Sequence, residues 1–472
     1  MAVSPARIIA FDILRRVAAQ DSFADELLRS ELDESVRTED AALATELTLG
    51  VLRWQRLLDF LIARHLTRSP KKLDAEVRIA LRLGAYQLWF LDRVPARAAV
   101  HESVDLVKRA RKRSAAPFVN AVLRKAATEA GSLARSRNTF ESFLPKDLSS
   151  IERLGILYSH PDWLVQRWLH NFGEERTRAL LEADNCVPAV SFSVLDDRFR
   201  DEAIASLRLA GCSIEPGRLL QTAMRLHGGN PAASEAVRCG RVVIQDEASQ
   251  AVAELLRVAP GNSVLDLCAA PGGKTLLLAL AAGSEGRVVA TDVHEHRVRA
   301  MAARLERAGL RNIECLRLDG TEPLPFESPF DRILVDAPCS GTGTLARNPE
   351  IRWRLRPEDL PDLRARQVAL LRNALAHLAP EGLLVYSTCS LEPEENELVV
   401  EDAIGEARGG FRLASPRSAM VPLLRETVAP ESVISPDGFF RTCPPDYGTD
   451  GFFAAMIERS SGKTGPGTGT SR

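Results

Sequence analysis

SVLDLCAAPGGKT, residues 263–275, runs from an apolar strand pattern through a turn of small residues into a helical pattern. A turn so poor in side chains lets a ligand approach the main chain closely. The nature of that ligand follows from what the turn lacks. A phosphate loop, G-x-x-x-x-G-K-[ST], needs its first glycine at position 268, where Cys268 stands. The dinucleotide pattern G-x-G-x-x-G is also missing, because Pro271 occupies the middle of the turn. Gly341 and Gly343 with Ala346 imitate it after a later strand, but a lone match of that kind does not carry NAD binding.

Around this stretch, apolar β-branched runs alternate with longer helical patterns: SVLDL, RVVAT, IECLRL, RILVDA and LLVYST. Such alternation predicts βαβ units stacked around a parallel sheet, a doubly wound Rossmann-like α/β domain over 239–460. An antiparallel pair near 438–458 is expected to close it. Asp292 ends the second strand, Asp319 the third and Asp336 the fourth. A carboxylate about 20 residues past the turn can accept both ribose hydroxyls. A row of carboxylates suits an adenosine bearing a positive sulfonium and repels a triphosphate without Mg²⁺. S-adenosyl-L-methionine therefore fits the charge, although a single strand-end aspartate can also cap the next helix.

Two cysteines follow consecutive strands, Cys339 in DAPCSG and Cys389 in STCS. Strands consecutive in such a fold lie side by side, so both thiols are expected in one crevice. A buried cysteine is usually a small hydrophobe, but two at a ligand edge point to covalent chemistry. Cytosine C5 requires it: that carbon is a poor nucleophile until a thiolate adds to C6. Asp336, facing the N3/N4 edge of such a base, can promote the protonation that makes C6 electrophilic. The target base must also be unstacked, which costs a few kcal/mol unless it already lies in a loop. These arguments do not say which cysteine attacks.

N-terminal to this domain, residues 145–238 mix helical patterns (HPDWLVQRWLHNF, EERTRALLEADN) with strand-like runs such as AVSFSVL, which suggests a small α/β adaptor. A polar linker is expected near 131–139. Residues 1–135 read as helices throughout; Leu73, Val77, Leu81, Gly84, Leu88 and Leu91 step by three and four along one stripe. The Gly/Ser/Thr-rich residues 461–472 are expected to be a disordered tail.

The net charge of −2 hides an asymmetry. Residues 1–140 carry 24 Lys/Arg against 17 Asp/Glu, a balance of +7 that leaves −9 for the remainder. Nine of those bases, against two acids, fall between Arg93 and Lys125, which suggests a polyanion partner as readily as a solvated face. A second basic stretch, ARNPEIRWRLR at 346–356, combines Arg347, Arg352, Arg354 and Arg356 with Trp353, a set that suits either single-stranded RNA or an ordinary loop. Eight cysteines, none in C-x-x-C spacing, fit reduced thiols better than a disulfide framework or a metal site. No apolar run approaches the ~18–20 residues of a membrane span. A cytoplasmic monomer without metal is expected. Glu394, Glu395 and Glu397 favour the start of a helix and receive no chemical role.

CAAPGGKT, VDAPCSGTG, STCSLEPEENE and TDGFFAA together resemble the RNA cytosine-C5 methyltransferases of the NOL1/NOP2/Sun type, and the segment ending in FVNAVLRK resembles the NusB-like RNA-binding module. The combination is similar to the bacterial small-subunit rRNA methyltransferases over nearly the whole chain. The resemblance implies a NusB-like helical module, an RRM-like adaptor and a methyltransferase domain that acts on 16S rRNA, at a cytosine of the 967 type. It places S-adenosyl-L-methionine against Cys268, Ala269, Ala270, Pro271, Gly272, Gly273 and Lys274, with Asp292 on the ribose, Asp319 near the adenine and Asp336 between cofactor and base. It makes Cys389 the nucleophile, has Cys339 assist release, and turns Lys274 towards the active site, where charge alone would leave it on the helix surface. Two other classes compete. One is a non-catalytic RNA-binding, antitermination-like factor, which intact Cys339 and Cys389 disfavour. The other is a nucleotide hydrolase clamping phosphate with Lys274 and Thr275, which the missing glycine disfavours.

Overall fold

The computed structural model describes residues 3–20, 22–32, 35–66, 73–132, 136–406 and 410–459. The expected linker overlaps 133–135 and the expected tail is 461–472; both stretches lie outside the described residues. The chain divides into two compact units, one of residues 1–187 with 345–355, the other of residues 188–344 with 356–472.

The first unit is helical. The stripe predicted from Leu73 falls on the helix Ala75–Phe90, where Val77, Leu81, Gly84 and Leu88 are buried. Gly84 permits close packing: a Cβ there would lie 2.5 Å from Leu123 and 2.9 Å from the Ser103 hydroxyl, so three helices meet at one point. Pro117 sits in the first turn of Ala116–Ser132, where its missing N–H has no intrahelical partner to lose. The two helical patterns expected at 160–185 form one element, Asp162–Ala183, broken at Gly173 (φ 75°). With Ser150–Leu157 it belongs to the helical unit, whose compact boundary falls at Val187.

The second unit carries two sheets. The smaller is antiparallel, in the order β2-β3-β1-β4, from β1 (Val190–Val194), β2 (Ser213–Pro216), β3 (Met224–His227) and β4 (Val242–Ile244). Phe192, Leu207 and Leu226 pack between it and the helix Arg200–Leu209. The larger contains β5 (Ser263–Leu267), β6 (Arg287–Asp292), β7 (Ile313–Arg317), β8 (Phe330–Asp336), β9 (Leu378–Thr388), β10 (Phe411–Ala414), β11 (Phe440–Thr442) and β12 (Phe452–Arg459). Its order is β10-β12-β9-β8-β5-β6-β7, with β11 on β12. All five expected parallel strands are present, and the antiparallel closure includes β10, which was not expected.

Parallel strands covered on both faces must be apolar at consecutive positions. Accordingly Val264, Leu334 and Val385 enter one core, whereas Leu265, Ile333 and Tyr386 enter the other. Strand order reverses at β5, whose neighbours are β8 and β6. Ligands of open α/β sheets bind at the carboxyl edge of such a reversal. The small-residue turn follows β5 there.

Candidate active site

Within the turn, Cys268 (φ 69°) and Gly272 (φ 90°) take left-handed conformations and the Ala270–Pro271 peptide is cis. At Gly272 a Cβ would lie 2.8 Å from Met301, so that position of the turn is crowded for a side chain. The helix Gly273–Ala282 begins immediately, and Thr275 Oγ1 donates to Asp266 Oδ2 at 2.6 Å. Burial pushes the Asp266 carboxyl up to about 7, and its Oδ1 has no partner. A cavity of about 140 Å³ opens there, lined among others by Asp266, Ala270, Gly273, Lys274, Asp336 and Gln245.

Asp292 and Asp336 close β6 and β8, and Asp319 follows β7 by two residues. Asp292 accepts the His294 N–H at 2.9 Å and lies 3.2 Å from Arg297. Asp319 is exposed and accepts both the N–H and the hydroxyl of Thr321, bonds that hold its carboxyl below the usual range. Lys274 is 9% exposed and donates to Asp336 Oδ2 at 2.8 Å, so it faces the strand ends and is not a surface charge. Negative charge and acceptors dominate, while the turn's only lysine is held by a carboxylate. That donor set fits a cationic sulfonium on adenosine and does not fit a polyphosphate.

Strands β8 and β9 pair in parallel with Asp336 opposite Ser387. The loops leaving them bring Cys339 Sγ within 3.4 Å of Cys389 Sγ. Ser387 Oγ donates to Asp336 Oδ1 at 2.8 Å, and Lys274 Nζ lies 5.0 Å from the Phe452 ring centroid, so the LLVYSTC and DGFF stretches meet the turn through Asp336 and Lys274. The hydrogen bond to Cys389 and burial hold the Cys339 thiol well above its ordinary range. Burial and nearby aspartates do the same to Cys268, which disfavours its thiolate.

Glu395 was expected only to favour the start of a helix. It is fully buried and accepts from Ser340 N (2.8 Å), Gln367 Nε2 (2.9 Å) and the hydroxyls of Ser340 and Ser390. An acid-rich run gives no sign of which acid turns inward, although two serines each following a cysteine are a hint.

In the arginine-rich loop, Arg352, Trp353 and Arg354 follow the ordinary-loop alternative. Residues 345–355 belong to the helical unit, where Arg352 is 1% exposed and donates to Asn185 Oδ1 (3.0 Å) and to the carbonyls of Asp184 (3.1 Å), Ser159 (3.2 Å), Leu345 (3.3 Å) and Arg53 (3.4 Å). Trp353 donates to Leu52 O, and Arg354 to the carbonyls of Val17, Gln20 and Ser22. Guanidinium N–H groups so engaged are not available to bind phosphates.

A doubly wound sheet with a glycine turn and acidic strand ends at its switch point defines an S-adenosylmethionine-dependent methyltransferase. The family description "16S rRNA methyltransferase RsmB/F" matches residues 253–458, "NusB family" matches 4–128 and an RsmF/B-like ferredoxin-like domain matches 160–233. The chain is 32% identical over 457 residues to the probable ribosomal RNA small subunit methyltransferase B of Bacillus subtilis, covering 96% of this chain and 98% of that one. It is 34% identical over 446 residues to the ribosomal RNA small subunit methyltransferase B of Pseudomonas putida, covering 92% and 97%. The crystal structure of a methyltransferase homolog protein from Pyrococcus horikoshii superposes with a TM-score of 0.55 at 28% identity, covering 66% of this chain and all of that one. The chain belongs to the ribosomal RNA small subunit methyltransferase B family. No helix among the described residues is long and apolar enough to cross a membrane.

Proposed function

We propose that this protein methylates C5 of one cytidine in 16S rRNA, a cytosine of the 967 type, through a covalent bond between Cys389 and C6. The observation that carries the reading is the pair of thiols 3.4 Å apart beside Asp336, itself gripped by Lys274 and Ser387. When bound, S-adenosyl-L-methionine supplies an electrophilic methyl group. The chain's part is to turn C5 into a nucleophile. Cys389 adds to C6 while Asp336, oriented through both carboxylate oxygens, directs a proton to the N3 edge. Cys339, whose Sγ lies 3.4 Å from that of Cys389, assists release: as thiolate it accepts H5, the C5–H electrons form the C5=C6 bond, and Cys389 leaves C6 as thiolate. The turn 268–274 and Asp292 are the proposed cofactor contacts, with Asp319 near the adenine.

In this reading residues 1–135 dock rRNA through the basic face at 93–125, residues 145–238 form the adaptor and 239–460 perform the chemistry, in a cytoplasmic monomer. Cys389→Ser is expected to lower methylation on the order of 10⁴-fold or more and to form no adduct. Cys339→Ser is expected to trap an RNA–protein adduct. Denaturing gels after mixing each variant with cofactor and 16S rRNA fragments decide this. An adduct surviving only in the Cys389 variant reverses the roles, and a new methyl on nitrogen or oxygen refutes the chemistry.

A further inference from the structure

We propose that Glu395 is the positioning residue that sets the two active-site thiols at one point, an inference that rests on the reading of Cys389 and Cys339 as the reacting groups. Main-chain pairing between β8 and β9 ends with the bond from Ala337 N–H to Ser387 O, and one further main-chain bond, from Gly343 N–H to Cys389 O at 2.9 Å, joins the loops that follow. That bond fixes Cys389 but reaches the other loop four residues past Cys339, so a Cys339 sulfur 3.4 Å from Cys389 needs a nearer restraint. The carboxylate of Glu395 supplies it. Oε1 accepts the main-chain N–H of Ser340, the residue after Cys339, and the amide of Gln367, which also holds Pro338 O at 2.9 Å. Oε2 accepts the hydroxyls of Ser340 and Ser390, the residues after each cysteine, and those hydroxyls lie 3.0 Å apart. One side chain therefore grips both loops next to the sulfur-bearing residues.

The energetics favour a positional role. Glu395 is fully buried and makes no ion pair among the described residues. A desolvated carboxylate is costly, and apolar replacements of buried polar clusters are often neutral or stabilising. Stability alone would not select a carboxylate here. Four donors converging on it define a geometry that apolar packing, which has no preferred direction, cannot impose.

The test measures thiol proximity separately from turnover. Dibromobimane, which becomes fluorescent on bridging neighbouring thiols, is applied to the full chain without RNA or cofactor, and the bridged peptides are mapped. The wild type is expected to bridge Cys339 to Cys389. Glu395→Gln keeps the volume but turns an amide donor towards donors that need an acceptor. Bridging is expected to slow about tenfold or more and kcat to fall about 100-fold, as for a displacement near 1 Å, with KM for S-adenosyl-L-methionine within about twofold. Ser390→Ala removes a single donor, leaves the carboxylate in place, and is expected to show the same changes at smaller size; it decides the matter should Glu395→Gln fail to fold. A wild-type chain that does not bridge, or a folded variant that bridges and turns over like wild type, overturns the proposal. Lost bridging with unchanged methylation upholds Glu395's grip on the thiols and refutes their chemical role.

Discussion

Residues 93–125 and 346–356 are both rich in basic side chains, and both suggested RNA contact as one reading of their composition. In the first, Arg93, Arg97, Arg111, Arg113, Arg124 and Lys125 are exposed and form no ion pair among the described residues, with Phe118 36% exposed beside them. In the second, Arg352 is buried on five oxygens and Trp353 and Arg354 donate to carbonyls of the helical unit. The difference lies in where the desolvation cost falls. Exposed cations keep their hydration and can exchange counterions for phosphates. A buried guanidinium has already given up water and needs every acceptor that surrounds it. Burial pulls the Arg352 guanidinium down to about 10, which still leaves it charged at neutral pH.

The largest test of this contrast removes the buried cation. Arg352→Ala strands five acceptors and opens a cavity, and it is expected to cost about 3–5 kcal/mol in denaturant unfolding of the helical unit. A loss below about 1 kcal/mol would place Arg352 with ordinary surface charges. On the exposed face, replacing Arg111, Arg113, Arg124 and Lys125 together by alanine should leave melting unchanged. Binding of 16S rRNA fragments should weaken about tenfold to a hundredfold, and the slope of log K against log salt should flatten by about 3, as for four lost contacts to single-stranded phosphate. A slope equal to wild type would remove this face from the RNA interface.

The smallest effect is a pH dependence. His160 is fully buried, bonded to Asp184 and Tyr158 O, and both burial and the charge of Arg352 hold it well below its ordinary value. The unfolded chain gains a proton as pH falls through about 6.5 while the folded chain does not. Stability is therefore full above that pH and falls by up to about 1.4 kcal/mol per unit below it. His160→Gln should flatten the decline between about pH 6.5 and 5, and an unchanged slope in unfolding titrations would contradict the buried, neutral assignment.

The inner parallel strands β5, β6, β8 and β9 were legible because strands covered on both faces carry consecutive apolar residues, whereas the edge strand β7 (IECLR) is only half-buried. The meeting of Cys339 with Cys389 was legible because each follows a strand in a fold whose consecutive strands pair. Glu395 was not: three acids in PEENE have equal local chemistry, and only packing against Ser340, Ser390 and Gln367 selects one. The fate of Arg352 was equally hidden, since its acceptors come from positions 53, 159, 184, 185 and 345.

The sequence by itself therefore determined the sheet, the turn at its switch point and the residue types at the strand ends, all of which depend on neighbours a few positions apart. Only the tertiary structure decided which charges face water and which acid holds the thiols. Desolvation is a property of everything packed around a group, and those surroundings come from distant parts of the chain.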